Sequence, residues 1–288
     1  HFGFMAISLA LFGLGVGAVI SYYLAGRQSL DPPWGRLGWM CSLNVIVTLA
    51  ALVVILHQQV SFSVSYKNAL KLALIYFVSA VPFLLAGAVV SLAISAGIQR
   101  VERVYFFDLL GAGSACLLLV PLLDLAGGPN AVLAAGALFG VAGAVWFRAA
   151  SRPRLAMAAL GLSLAMAALL LTNTYTKWVD VRFAKGAAVG NELFSRWNSF
   201  SRVTVTRSDP GSDPTIVIDA DAATSIPGYA PEELTAQGRA ELLRAGPGLA
   251  YQIRPGAKTL VIGPGGGFDV ARALAGGSGS VTGVEINP

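Results

Sequence analysis

The sequence predicts an α-helical multi-span membrane bundle followed by an α/β region: a small β-hairpin segment, then the first βαβ unit of a Rossmann-like domain. Three observations predict it. The chain is 55% hydrophobic and only 12% charged, with a mean hydropathy of +0.68, too apolar for an ordinary soluble domain. The apolar residues are concentrated before Tyr175, where charges occupy short gaps between long runs. The last stretch, "VIGPGGGFDVARALAGGSGSVTGVEINP", places four glycines within five positions and follows them with the acid Glu285. The expected division is a helical bundle over 1–175, a β-hairpin region over 176–230, and the incomplete start of the Rossmann-like domain over 231–288.

A membrane-spanning helix needs about 20 apolar residues. Six runs meet that length, roughly 2–25, 38–58, 70–98, 105–126, 130–149 and 155–175. The separators are turn and charge sequences: "GRQSLDPPWGR", "QRVERV", "DLAGGPN" and "RAASRPR". Gly13 and Gly17 are four apart, as are Gly136 and Gly140. That spacing puts small residues on one helix face and predicts close helix packing. The same faces also admit a homo-oligomer. Asp108, in "YFFDLLGAGSACLLL", is a carboxylate in an apolar span. Such a group by default marks function, but its nearness to the helix start favours a headgroup-reaching role.

The net charge of +5 invites a nucleic-acid reading, and its distribution excludes one. Nine Lys/Arg and four acids precede Thr176, and the remaining eleven of each cancel. The excess therefore flanks apolar spans, as topology signals and anionic lipid headgroups require, and the soluble part carries no basic surplus to meet phosphates. Arg27, Arg36, Arg100, Arg103, Arg148, Arg152 and Arg154 follow spans one, three and five; Lys67, Lys71, Lys177, Arg182 and Lys185 lie on the other side. That seven-to-five count alone puts the soluble part outside the cytoplasm, whereas a nucleotide-type cofactor puts it inside; the cofactor argument is taken to decide. Cys41 and Cys116 both sit in apolar runs, and the histidines are His1 and His57. Neither a disulfide framework nor a zinc site is expected, and no metal cofactor.

The second half reads as α/β. "SFSRVTVTR" and "TIVIDA" alternate around a Pro/Gly/Asp turn and predict a hairpin. "PEELTAQGRAELLRAG" predicts a helix starting at Pro231 and its acids. "KTLVIGP", "FDVARALAG" and "SVTGVEI" predict strand, helix and strand. Between the first two lie Gly263, Gly265 and Gly267 in a G-x-G-x-G pattern. Glycine permits the tight turn and lets a ligand approach the backbone. Gly265 is expected at the closest approach and Gly266 at a variable position. Glu285 ends the second strand, where an acid accepts hydrogen bonds from a ribose diol. That pattern fits a dinucleotide or an S-adenosyl compound.

"FSRWNSFSRVTV", "IVIDADAAT", "TLVIGPGGGFDV" and "GVEINP", in that order, resemble the spermidine synthase (polyamine aminopropyltransferase) family. The closer similarity is to bacterial membrane-fused members, with a multi-span region ahead of the synthase-like domain. The resemblance implies a Rossmann-like domain of the methyltransferase type and a bacterial inner-membrane protein, its soluble domain cytoplasmic by the cofactor argument above. It implies decarboxylated S-adenosylmethionine as aminopropyl donor and a small-molecule amine as acceptor, beside the lipid bilayer as partner. By matching motifs, Gly263, Gly265, Gly267 and Glu285 hold the adenosyl group. Trp197, Ser199, Asp219 and Tyr251 lie toward the acceptor. Three positions depart from the family pattern: Ala223 stands for a Gln, Gln252 for the His of a Tyr-His pair, and Gly266 for an Asp. The chain opens on His1 inside an apolar run and the family's catalytic Asp falls beyond the second strand, so it reads as truncated at both ends and inactive alone. Two other readings stay open at this point. One is an S-adenosylmethionine-dependent methyltransferase acting on a membrane-delivered substrate. The other is a transporter or scaffold with an adenosyl-sensing domain.

Overall fold

The computed structural model describes residues 2–25, 33–60, 64–184, 187–189, 192–207, 209, 211–219, 222–230, 233–244 and 246–287. His1, Arg27, Lys185 and Pro231, all weighed above, lie outside them. The chain divides into two compact units, His1–Ala188 and Val189–Pro288.

The first unit is built from six long helices: α1 (Phe2–Ala25), α2 (Trp34–His57), α3 (Tyr66–Ala96), α4 (Val101–Ala126), α5 (Gly128–Ala149) and α6 (Pro153–Thr176). Each is long and apolar enough to cross a bilayer, the make-up of a membrane protein. Helices α2 to α6 begin two to four residues before the apolar runs do. The hydropathy of a run marks its hydrocarbon-facing part, whereas the helix continues through polar and aromatic first turns such as Trp34–Arg36 and Val101–Arg103. Ser65 caps α3 by accepting from the Asn68 amide at 3.2 Å.

Helix α2 is the hub. It packs on α3 through Leu37, Cys41, Val89 and Leu92, and on α5 and α6 through Val45, Leu52, Leu133 and Met166. Lipid tails are as apolar as these side chains, so close fit and hydrogen bonds hold the helices together. The paired glycines serve that fit. Gly13 and Gly17 lie against the α3 backbone around Leu84, and Gly87 lies against Leu14 of α1. Gly140 faces Ser163 of α6, and Gly136 faces Met166. Ser21 bonds Ser91 across α1 and α3 at 2.7 Å, and Ser163 bonds the Ala137 carbonyl across α5 and α6 at 2.7 Å. At one end of the bundle the buried Asn173 donates to Asn130 Oδ1 at 2.8 Å and holds both the amide and the carbonyl of Val179. That network ties the segment after α6 to α5. Helix α4 has no buried residue, and Asp108 is exposed on it.

A two-residue ribbon, β1 (Phe183–Ala184) with β2 (Ala187–Ala188), closes the first unit. The second unit holds a four-stranded antiparallel meander: β3 (Glu192–Trp197), β4 (Arg202–Thr206), β5 (Thr215–Ile218) and β6 (Ala222–Ser225). The expected hairpin is its β4–β5 core, with Val203 opposite Ile218; β3 and β6 extend it on each side. Next come α7 (Ala236–Arg244), α8 (Gly248–Ile253), β7 (Lys258–Ile262), α9 (Phe268–Ala275) and β8 (Ser280–Val284). Helix α7 starts at Ala236, where Thr235 Oγ1 accepts from the Gly238 amide at 3.1 Å; the side chain that caps it lies four residues past Pro231. Strands β7 and β8 are parallel, with Ile262 beside Val284. Ala271, Ala273 and Ala275 are the buried residues of α9.

Candidate cofactor site

The site starts where β7 ends. The Gly263 amide donates to the Val284 carbonyl at 2.8 Å, one step past the β7–β8 ladder. The chain then turns through Gly263 (φ +68°), Gly265 (φ +51°) and Gly267 (φ +93°). All three fall where side chains other than glycine are strained. Gly267 is the N-cap of α9, and its carbonyl accepts from the Ala271 amide at 2.9 Å. The amides of Phe268, Asp269 and Val270 precede that first bond, so they head the helix toward the loop.

Glu285 closes the loop from the other strand. Its Oε2 accepts from the Gly265 amide at 3.4 Å; its Oε1 accepts from the amides of Ile286 at 2.9 Å and Asn287 at 3.1 Å. The Asn287 amide chiefly, with those of Ile286 and Gly265, holds this carboxyl below the usual carboxylate range, slight burial opposing them. The carboxylate remains exposed, so it keeps acceptor capacity for an incoming hydroxyl.

The antiparallel sheet meets the loop at two places. Asn287 Oδ1 accepts from Asn198 Nδ2 at 2.9 Å and from Ser201 Oγ at 2.6 Å. Asn198 in turn shapes the β3–β4 turn by accepting from the Phe200 and Ser201 amides at 2.7 and 2.8 Å. At the second place Gly265 faces the Thr224 methyl, and Gly266, buried, faces the Ser225 carbonyl. That corrects the expectation for Gly266. A Cβ there would run into the Ser225 backbone, so this position is sterically fixed. A Cβ on Gly265 would come within 2.8 Å of Thr224, whereas the Cβ directions of Gly263 and Gly267 are open.

The eight residues singled out by motif fall into four places. Gly263, Gly265, Gly267 and Glu285 come together in the loop. Trp197 and Ser199 lie on the turn bonded to Asn287, both half-buried. Asp219 (φ +49°) sits at the end of β5, its Oδ1 accepting from the Arg202 amide at 2.9 Å. Arg202 also forms a two-pronged pair with Glu192 at 2.8 and 2.9 Å. Tyr251 is elsewhere. Its Cβ faces Gly276, past the C-terminal end of α9, and burial first, then the Asp269 carboxylate, raises its hydroxyl above the ordinary range, with Arg272 opposing. The reading by motif passed over Asn198 and Asn287, whose bond joins residues 89 apart in the chain. The signal available was the N-S-F-S turn, in which an asparagine followed by small polar residues makes a self-bonded corner.

A cleft of about 350 Å³ lies beside the start of α9, lined by Tyr229, Glu241, Leu242, Phe268 and Arg272 among others. Among the described residues no three His, Cys, Asp or Glu side chains gather as a metal site. No protein-family model, no curated protein and no solved structure matches this chain.

Proposed function

We propose that the chain is the membrane-anchored, cofactor-binding part of an adenosyl-dependent transferase, of the aminopropyl-transferring kind its motifs resemble. In this reading β7, α9 and β8 are the first βαβ unit of a Rossmann-like sheet, and the second unit faces the cytoplasm. One observation carries the proposal: three glycines with positive φ lead into a helix N-terminus, and the next strand ends in an exposed carboxylate bonded to that same loop. Backbone amides without a Cβ in front of them suit a flat nucleoside. Glu285, its charged form favoured by three backbone amides, suits a ribose diol.

Gly263 and Gly267 leave room at the backbone and would hold the adenosyl group; Gly265 supplies the amide that orients Glu285. Decarboxylated S-adenosylmethionine, when bound, supplies a carbon activated by a neighbouring sulfonium. An acceptor amine would form its N–C bond at that carbon as the C–S bond broke, and would give its proton to a base. The leaving thioether is neutral, so positioning carries much of the rate. Trp197 and Ser199, on the turn bonded to Asn287, are the acceptor-side residues that the geometry favours.

The test is calorimetry on the chain in nanodiscs. Decarboxylated S-adenosylmethionine binds, and Glu285→Ala weakens it by about 1.5–3 kcal/mol, the scale of hydrogen bonds to a charged group. No binding by the parent chain, or an unchanged dissociation constant in the variant, overturns the reading. Tighter binding of the intact cofactor would turn it into methyl transfer.

A further inference from the structure

We infer that a groove between α2 and α6 is a binding site for an anionic phospholipid of the surrounding bilayer. The groove holds about 210 Å³ and is almost wholly apolar. Trp39, Leu43 and Ile46 form its α2 wall, spaced three and four apart on one stripe. Leu155, Ala158 and Leu162 form the α6 wall at the same spacing, and Phe147 of α5 is the floor. Trp39 stands edge-on to Phe147 with ring centres 5.6 Å apart. Ala158, exposed on α6, leaves the width for a chain. From Trp39 to Ile46 the groove runs about 10 Å at about 1.5 Å per residue. That is roughly two-thirds of one leaflet of hydrocarbon, the depth of an acyl chain.

The mouth identifies the headgroup. One turn above Trp39 on the same stripe is Gly35, and the Arg152 guanidinium lies over it, 3.4 Å from where a Cβ would be. Arg152 itself begins the α6 stripe, as its N-cap. The guanidinium thus sits where both walls of the groove reach the surface, with Arg36 and Arg154 next in sequence to Gly35 and to the Leu155 wall. Trp34 and Trp146 stack at this end, centres 5.4 Å apart and planes 9° apart, as aromatic pairs do at headgroup level. The charge around the mouth has one sign. Among the described residues Arg36, Arg148, Arg152 and Arg154 lie in the loops and first or last turns of the groove-forming helices α2, α5 and α6 at this end, with no acid among them; Arg100, Glu102 and Arg103 belong to the start of α4 and the turn before it, which line no part of the groove. Chain-shaped apolar space under an arginine matches a lipid phosphate with an acyl tail. A free phosphate would use only the mouth.

Native mass spectrometry on the whole chain tests it, after reconstitution in equal amounts of phosphatidylcholine and phosphatidylglycerol. The parent retains phosphatidylglycerol preferentially. Arg152→Gln lowers that preference about fivefold, the effect of one basic group near an anionic surface, and Arg100→Gln leaves it unchanged. Ala158→Trp, which fills the groove from its exposed side, lowers retention of both lipids. An equal loss with Arg100→Gln, or full retention with Ala158→Trp, overturns the site. Fluorescence of the parent gives a readout free of folding concerns. Phosphatidylglycerol with brominated chains quenches it more than brominated phosphatidylcholine, and Trp39→Phe removes the difference. Equal quenching by the two lipids in the parent also overturns it.

Discussion

The glycines of the helical bundle and those of the β7–α9 loop have different jobs. Gly17, Gly87 and Gly140 sit in helices. Their backbone conformation suits any residue, and what forbids a side chain is a neighbour. Leu84 and Ala88 of α3 back onto Gly17, Leu14 onto Gly87, and Ser163 onto Gly140. Gly263 and Gly267 are the reverse. Nothing lies within 4 Å of where their Cβ would be, and the positive φ alone demands glycine. Gly266 belongs with the bundle set although it lies in the loop: φ is ordinary and the Ser225 carbonyl occupies its side-chain space. The lesson is that a glycine's neighbours, and not its motif, decide whether its cost is steric or conformational.

The largest expected effect is at Gly17. Gly17→Val forces two helix backbones apart, because rigid carbonyl and amide groups of α3 fill the space. Overpacking of this kind costs about 3 kcal/mol or more when backbone must move. Denaturant unfolding of the reconstituted bundle reads it. A change below about 1 kcal/mol would mean that α1 and α3 are not held at this distance. Binding of the proposed cofactor by the second unit is expected to stay at the parent value.

Next come Gly266 and Gly263, which separate the two costs within one loop. Gly266→Ala is expected to lose about 2 kcal/mol of stability in the second unit, the middle of the range for overpacking, together with cofactor binding. Gly263→Ala is expected to lose about 1–2 kcal/mol, the cost of a left-handed residue other than glycine. Asparagine tolerates that conformation, so Gly263→Asn recovers part of the loss and Gly266→Asn recovers none. Equal behaviour of the two asparagine variants in thermal unfolding would erase the distinction.

How much of this could be read from the chain itself follows from the range of each interaction. The six helices were legible because about 20 consecutive apolar residues leave little alternative in lipid. Their polar first turns were not, since hydropathy is silent on where a helix stops hydrogen bonding. The β7–α9–β8 order was legible from period and glycine position. Helix α8 is six residues long, too short to show a period, and β3 and β6 gain their identity only by pairing with β4 and β5. In the site, Gly263, Gly267 and Glu285 were legible because strand, turn and helix chemistry is local. The steric role of Gly266 depends on Ser225, and the turn contact depends on Asn198 meeting Asn287. Both join distant parts of the chain. The Arg152 guanidinium over Gly35 is distant in the same way.

The smallest effect expected is of pH on the loop. In the folded chain the Glu285 carboxyl titrates below its ordinary range, because backbone amides of Asn287, Ile286 and Gly265 favour the charged form. The unfolded chain keeps the ordinary glutamate value, about 4.3. A group held low when folded stabilises the fold only while it is ionised. Its contribution is therefore complete above about pH 5, begins to fall as the unfolded form takes up protons near pH 4, and is gone below the folded value. No loss is expected between pH 8 and pH 5. The group is exposed, and solvent screening keeps the stability change small, so unfolding is a poor readout. The Gly265 amide is a better one, since its acceptor is the carboxylate itself, at 3.4 Å. Its proton resonance should hold constant from neutral pH to about pH 5 and then shift as the carboxylate is protonated. The Gly263 amide, bonded to the Val284 carbonyl at 2.8 Å, should not follow. Glu285→Gln should abolish the Gly265 titration and leave the Gly263 signal in place. If both amides move together, the whole loop opens with acid and Glu285 is not what closes it; if neither moves, the carboxylate and the glycine loop are independent.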